Sequence, residues 1–252
     1  MTKIREEVII DFLNIEGLKI AQINDCFNFS IDTVLLAFFA TINMKIKKII
    51  DLGCGNGAIP LLLSKRSRAD ITGIEIQKIS VESAKKNFEL NGVDSRVKVI
   101  EGDIKEIKKN FEQQICELVV CNPPFFKYDG NENQIKKGVE LHTARHEMSV
   151  DFEDIAKAAS HLLKNSGYFA IVHRSDRCAE IISILKKYRL EPKRICFCYT
   201  RENSESKIVL IESVKNGKEG VKIMPPVYTN KKDGSYTDVM EELFRGKNIF
   251  IQ

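Results

Sequence analysis

The chain has 252 residues, 43 % of them hydrophobic and 29 % charged, a balance that fits one α/β unit with a sizeable core. Its longest apolar run, Val34 to Ala40, is too short to span a bilayer, and the charged start after Met1 is not a secretory leader. Seven scattered cysteines suit reduced thiols in the cytoplasm better than a disulfide framework. A net charge of +4 permits nucleic-acid binding without arguing for it.

Residues 3–29 mix apolar and polar positions around Gly17, as in a small hairpin or an irregular lid at a sheet edge. Ser30 then precedes the apolar stretch Ile31 to Ala40, which is expected to form a buried helix. Ser30 suits the N-cap, and Asp32 falls in the first turn, where the helix dipole favours a carboxylate. A second reading of the same residues puts Ser30, Asp32 and Thr33 near the charged end of a cofactor.

Lys47 to Leu52 has the continuous apolar character of a buried parallel strand. Gly53-Cys54-Gly55-Asn56-Gly57 follows at once, and Ile59 to Arg66 continues as a helix, with Pro60 tolerated in the first turn. A strand over 69–76, a helix over 80–90 ended by Asn91-Gly92, a strand over 96–100 and another over 115–121 complete the first half. Strands alternating with helices predict βαβ units in a parallel sheet. A long polar stretch, Lys127 to Arg145, reads as a functional loop. Then come a helix over 152–163, a strand over 167–173, a helix over 177–187 and two strands, 191–200 and 206–214, without a helix between them. That last pair is expected to be antiparallel. The tail holds Pro225-Pro226 and a short helix over 237–243. No repeat or linker divides the chain, so one domain is expected over 1–252: an N-terminal lid and helix region (1–46), a core (47–214) and a tail (215–252).

The glycines allow positive φ and close approach of a ligand to the backbone. Asp51 stands two residues ahead of Gly53, where its carboxylate suits a ligand's ammonium group better than a pyrophosphate. The Gly-Lys-Ser/Thr of a P-loop is absent. S-adenosylmethionine therefore fits Asp51, Gly53, Gly55, Asn56 and Gly57 better than NAD. Glu75 ends the next strand, where an acid takes ribose hydroxyls. Asp103 follows the third strand and can accept from an adenine's exocyclic amine. Three acids at the ends of three successive strands point to one cofactor site.

The strand over 115–121 stops at Asn122-Pro123-Pro124-Phe125, because proline cannot donate to a strand ladder. An exocyclic or amide nitrogen delocalises its lone pair and is a poor nucleophile. The Asn122 side-chain oxygen and the Pro123 carbonyl could hold its two hydrogens, and Phe125 could stack on the planar group. His142 and His146 have helix-face spacing, but no third ligand is evident, so no metal is expected.

Asp51-Leu52-Gly53-Cys54-Gly55-Asn56-Gly57, Glu75 and Gly102-Asp103 resemble the class I S-adenosylmethionine-dependent methyltransferases over roughly 49–214. That resemblance implies a Rossmann-like, seven-stranded α/β sheet with its last strand antiparallel. Asn122-Pro123-Pro124-Phe125 is similar to the N/D-P-P-Y/F motif of enzymes that methylate adenine, cytosine, the guanine 2-amino group or the glutamine of release factors. Phe27 to Ala37, Asn122 to Phe126, Ala144-Arg145-His146-Glu147, His173-Arg174 and Tyr188 to Arg194 together resemble the bacterial tRNA1(Val) adenine N6-methyltransferase family.

The narrower resemblance implies a tRNA substrate methylated at the adenine 3′ of the anticodon. Phe126, Lys127, Lys136, Lys137 and Arg145 are the expected RNA contacts, with further basic residues at Lys193, Arg194, Lys231 and Lys232. Other readings stay open: an rRNA guanine N2- or a release-factor glutamine N5-methyltransferase, or a cofactor-binding RNA chaperone without catalysis. Release-factor enzymes carry a helical domain ahead of the glycine motif, where about fifty residues stand here. The ribosomal guanine enzymes are often doubled.

Overall fold

A computed structural model describes residues 7–11, 17–23, 30–124 and 150–250. Its centre is a sheet of β3 (Lys48–Leu52), β4 (Asp70–Glu75), β5 (Val97–Glu101), β6 (Cys116–Cys121), β7 (Leu163–Arg174), β8 (Leu190–Tyr199) and β9 (Ser206–Lys215). The spatial order is β5-β4-β3-β6-β7-β9-β8. β3 pairs in parallel with both β4 and β6, while β9 runs antiparallel to β7 and β8 between them. This is the class I methyltransferase sheet expected from the sequence, with the last long strand reversed. Two short strands missed there, β10 (Lys222–Ile223) and β11 (Val227–Tyr228), add in parallel to the outer side of β8.

Helices cover both faces. On one side lie α1 (Ile31–Phe39), α2 (Ala58–Arg66) and α3 (Lys78–Leu90), with the tail helix α7 (Asp238–Phe244) against α1. On the other lie the short α4 (Ile107–Asn110), α5 (Phe152–Leu162) and α6 (Cys178–Lys187). The Asp151 carboxylate caps α5, accepting the Asp154 N–H at 2.8 Å. None of the described helices is long and apolar enough to cross a membrane.

β1 (Glu7–Asp11) and β2 (Lys19–Ile23) pair with each other as a separate hairpin. The free edge of β2 is taken up by side chains. Asn87 accepts the Ala21 N–H at 2.7 Å and donates to the Ala21 carbonyl; Asn91, four residues on at the carboxyl cap of α3, does the same for Lys19. Asparagines four apart on a helix face thus stand in for a neighbouring strand. The second amide hydrogen of Asn87 reaches the Asn56 carbonyl at 2.9 Å, tying the hairpin to the glycine loop.

α1 is held at its carboxyl end, where the last carbonyls lack helical partners. Arg66 donates to the Ala37 and Ala40 carbonyls, and Arg194 donates to that of Phe39. Glu212, 1 % exposed, anchors Arg194 and also accepts from the Thr41 N–H (2.7 Å) and hydroxyl (2.6 Å). Cations at this end also suit the helix dipole. The clamp fixes α1 along its axis, so the position of its amino end is set.

Candidate active site

The chain runs from β3 outward to β4 and β5, then crosses back to β6 on the other side of β3. The chain after β3 and the chain after β6 therefore lead to helices on opposite faces of the sheet, α2 and α5. Open α/β sheets bind ligands at such a reversal. A cleft lies there, lined by Gly53 and Gly55 from the β3 end, Glu75 from β4, Asp103 from β5, and Asn122, Pro123 and Pro124 from β6. The cleft also takes Ile76, Gln77, Ser80 and Ile104, which sequence reasoning missed. Their signal was position alone: Ile76, Gln77 and Ile104 follow strand ends, and Ser80 lies in the first turn of α3.

The glycine loop is shaped by hydrogen bonds from its own amides. Gly53 and Cys54 donate to the Ile74 carbonyl at 2.8 and 3.2 Å, and Gly57 donates to the Cys54 carbonyl at 2.9 Å. Gly55 donates to Glu75 Oε2 at 2.9 Å, and Gln77 donates to Glu75 Oε1 at 2.8 Å. Burial pushes the Glu75 carboxyl up, and these N–H donors pull it back. A carboxylate has about four acceptor positions, so Glu75 retains capacity for a ligand's hydroxyls. Asp103 Oδ1 accepts from the Lys105 N–H at 2.8 Å, starting a 3-10 turn over Ile104–Glu106.

All three glycines hold positive φ (+72°, +53° and +83°), the left-handed region that favours glycine, and they differ in what surrounds them. A Cβ on Gly53 or Gly55 would meet nothing within 4 Å, so both border open ligand space. At Gly57, with φ +83°, a Cβ would stand 2.5 Å from the Phe88 ring. Its role is packing of the loop onto α3. Asn56 offers its carbonyl to Asn87 and does not line the cleft.

Asp51 is fully buried behind the loop, and neither of its oxygens has a hydrogen-bond partner among the described residues. Burial pushes its carboxyl well above the ordinary range, and Glu75 adds like-charge repulsion. A buried carboxylate without a partner costs stability unless a positive group approaches. α2, whose amino end follows the loop, has no acidic residue in its first turn. A ligand carrying an ammonium and a carboxylate, such as the methionine end of S-adenosylmethionine, therefore fits the residues present.

At the catalytic loop Asn122 is half-buried, Pro123 buried and Pro124 exposed. Asn122 Nδ2 donates to Thr33 Oγ1 at 3.3 Å. Among the described residues, this is the hydrogen bond that the Asn122 carboxamide makes, through its nitrogen, beside the cleft. Ser30, Asp32 and Thr33 sit at the amino end of α1 and are not among the residues lining the cleft; Thr33 bonds to Asn122. Burial raises Asp32 to about 6, against a hydrogen bond from Ser30 that lowers it. Phe125, Phe126, Lys127, Lys136, Lys137 and Arg145 lie outside the described residues, as do Phe27 to Phe29 and Ala144 to Glu147.

His173 ends β7 next to this loop and is 1 % exposed. The Arg174 N–H donates to its Nδ1 at 2.8 Å. Burial, reinforced by the Arg177 guanidinium, holds the imidazole down to about 4. In the unfolded chain it titrates near 6.5, so the unfolded state takes up the proton first as pH falls. Stability from this residue is complete above about pH 6.5 and declines on acidification, by about 2 kcal/mol at pH 5. Asp32 works in the opposite sense, so the effect is read against a variant. His173→Asn keeps an acceptor near Nδ1 and should flatten the fall in melting temperature between pH 7 and pH 5. An unchanged difference between those pH values would show that His173 titrates normally.

The family model described as a methyltransferase domain matches residues 44–227. The tRNA1(Val) (adenine(37)-N6)-methyltransferase of Flavobacterium johnsoniae is 30 % identical over 186 residues, covering 73 % of this chain and 77 % of that protein. The enzyme of the same name from Shewanella sediminis is 30 % identical over 165 residues, covering 64 % of this chain and 66 % of the relative's own length. Among solved structures, a predicted O-methyltransferase from Agrobacterium tumefaciens superposes with a TM-score of 0.69 at 20 % identity, covering 86 % of this chain and 97 % of that one. At that identity the likeness establishes the fold. With the glycine loop, Glu75, Asp103 and the Asn-Pro-Pro strand end converging on one cleft, and Asp51 buried behind the loop, the chain belongs to the S-adenosylmethionine-dependent methyltransferases and, within them, to the tRNA1(Val) (adenine(37)-N6)-methyltransferase family.

Proposed function

We propose that this enzyme methylates the exocyclic N6 amine of the adenine just 3′ of the anticodon in a tRNA of the tRNA1(Val) type. The observation that carries the reading is the orientation of Asn122. Its amide nitrogen donates to Thr33 Oγ1, which would leave the carboxamide oxygen as the acceptor toward the cleft. An acceptor is what an amine carrying two hydrogens requires.

Bound S-adenosylmethionine supplies an electrophilic methyl group on a sulfonium sulfur. Asp51 would lie on the ammonium side, Glu75 would take the ribose hydroxyls and Asp103 the adenine amine, with Ile76 and Ile104 as apolar flanks. Gly53 and Gly55 would let the ligand approach the backbone. Asn122 Oδ1 and the Pro123 carbonyl would each accept one N–H of the target amine. This favours a pyramidal nitrogen with its lone pair directed at the methyl. No strong base is needed before transfer, because the nitrogen sheds its proton afterwards. Catalysis is then alignment and electrostatic preorganisation.

Phe125 would stack on the base, a contact worth roughly 1–3 kcal/mol. An unpaired loop adenine can be turned into such a pocket at modest cost. Phe126, Lys127, Lys136, Lys137 and Arg145 would contact the RNA, the basic ones through phosphates. tRNA binding should then weaken steeply with salt. On this reading the enzyme would act where its tRNA is, in the cytoplasm.

The same grip would serve a guanine 2-amino group or a glutamine carboxamide; similarity to the adenine enzymes favours the first reading. Mass spectrometry of tRNA, rRNA and release factors from a deletion strain separates them. The expected result is loss of N6-methyladenosine next to the anticodon, with rRNA and release factors unchanged. Loss of guanine or glutamine methylation instead would overturn the tRNA reading, and loss of none would favour an RNA chaperone.

A further inference from the structure

We propose that Thr33 is a positioning residue for the methyl transfer: it selects which end of the Asn122 carboxamide faces the substrate amine. The inference rests on the reading of Asn122 given above. A carboxamide is nearly symmetrical in shape, and turning it over replaces an acceptor with a donor. Facing the cleft with its NH2 group, Asn122 would oppose the hydrogens of the amine it has to hold. Something outside the cleft must therefore take the NH2 group.

Thr33 Oγ1 does so at 3.3 Å, from a side chain 6 % exposed on the first turn of α1. The residues are 89 apart in sequence, yet both are fixed. Asn122 directly follows β6, at the centre of the sheet, and α1 is clamped at its far end by Arg66, Arg194 and Glu212. Thr33 Oγ1 also accepts the Ser30 N–H, at 3.4 Å, so its lone pairs are directed by the capping of α1. With the Ser30 N–H on one lone pair, the second lone pair of the hydroxyl takes the Asn122 amide. The contact thus connects the cap of α1 to the chemistry of the loop. It also revises the role expected for Thr33 from a cofactor contact to support of the catalytic amide.

Thr33→Val keeps the volume and removes the acceptor; Thr33→Ser keeps the acceptor. Single-turnover methylation of tRNA with labelled S-adenosylmethionine is measured for both, with cofactor affinity by calorimetry and the melting temperature of each. The valine variant should lose roughly tenfold to a hundredfold in the transfer rate, the scale of a misplaced reacting group. Its cofactor Kd and its KM for tRNA should stay within about threefold of wild type. The serine variant should recover most of the rate. A purely structural role would lower the melting temperature of the valine variant without changing transfer well below that temperature. That result, or a serine variant as slow as the valine one, would overturn the proposal. Should the valine variant not fold, Thr33→Ala removes the same acceptor and is read the same way. Asn122→Ala, measured alongside, separates the two levels. If it transfers methyl normally, the reading of Asn122 fails. If it is inactive while Thr33→Val is fully active, only the role of Thr33 fails.

Discussion

Asn122→Ala is expected to lower methyl transfer by about 10²–10³-fold, the scale seen when one preorganised group at a reacting centre is removed. The alanine loses the carboxamide acceptor and removes one of the two donors to Thr33 Oγ1, leaving the Ser30 N–H. The other wall of the cleft is unaffected, because Gly53, Gly55, Glu75 and Gln77 are held by bonds that do not involve position 122. Cofactor Kd should therefore move by less than about threefold, so the loss falls on kcat with little ground-state effect. Single-turnover transfer with calorimetry of cofactor binding checks both halves. Unchanged turnover would sink the mechanism, whereas a large loss of cofactor affinity would make Asn122 a cofactor residue.

Asp51→Asn should produce two effects of opposite sign. Asp51 is 0 % exposed, and both of its oxygens lack partners among the described residues. Folding raises its pKa, with burial the larger cause and Glu75 the second. The folded state therefore holds a proton that the unfolded carboxylate loses near pH 3.9, and the resulting stability is lost as pH rises above that value. A neutral asparagine removes this penalty. The ligand-free variant should melt a few degrees higher than wild type near pH 7.5, an advantage that closes toward pH 4.

Cofactor affinity should move the other way. Losing a charged partner for the ammonium, at roughly 1.5–3 kcal/mol, weakens binding about tenfold to a hundredfold. Binding in the wild type should also weaken on acidification, because the ligand prefers Asp51 and Glu75 ionised and both are shifted upward. Thermal melts across pH and calorimetry test the pair of effects. Wild-type affinity in the variant would remove Asp51 from the cofactor site. A lower melting temperature at pH 7.5 would mean that Asp51 has a partner it needs even without ligand.

The parts of the site legible in sequence are those whose chemistry is local. A strand running into glycines, or into two prolines, determines its own ending. The acids at successive strand ends follow from the βαβ rhythm. That rhythm also gives the parallel sheet, because strands joined through helices cross over and do not form hairpins.

What sequence left hidden depends on distant packing. Nothing near Thr33 announces Asn122, and nothing near Gly57 announces the Phe88 ring that excludes any side chain there. Asn87 and Asn91 read as unremarkable polar positions, although they hold the edge of β2. β10 and β11 are two residues each around Pro225-Pro226, below the length at which alternation can be seen. β7 starts at Leu163, four residues earlier than expected, with Ser166 in the left-handed region (φ +63°) inside the strand. Its pairing with β6 shifts register between Cys116 and Leu118, an irregularity that masks the period.

The tRNA address is tested most directly with two transcripts of tRNA1(Val) that differ only in the base 3′ of the anticodon, adenine in one and guanine in the other. Each is incubated with labelled S-adenosylmethionine and digested to nucleosides. Label should appear as N6-methyladenosine from the adenine transcript alone. Equal labelling of both transcripts, or label in any nucleoside other than N6-methyladenosine, would contradict methylation at that adenine.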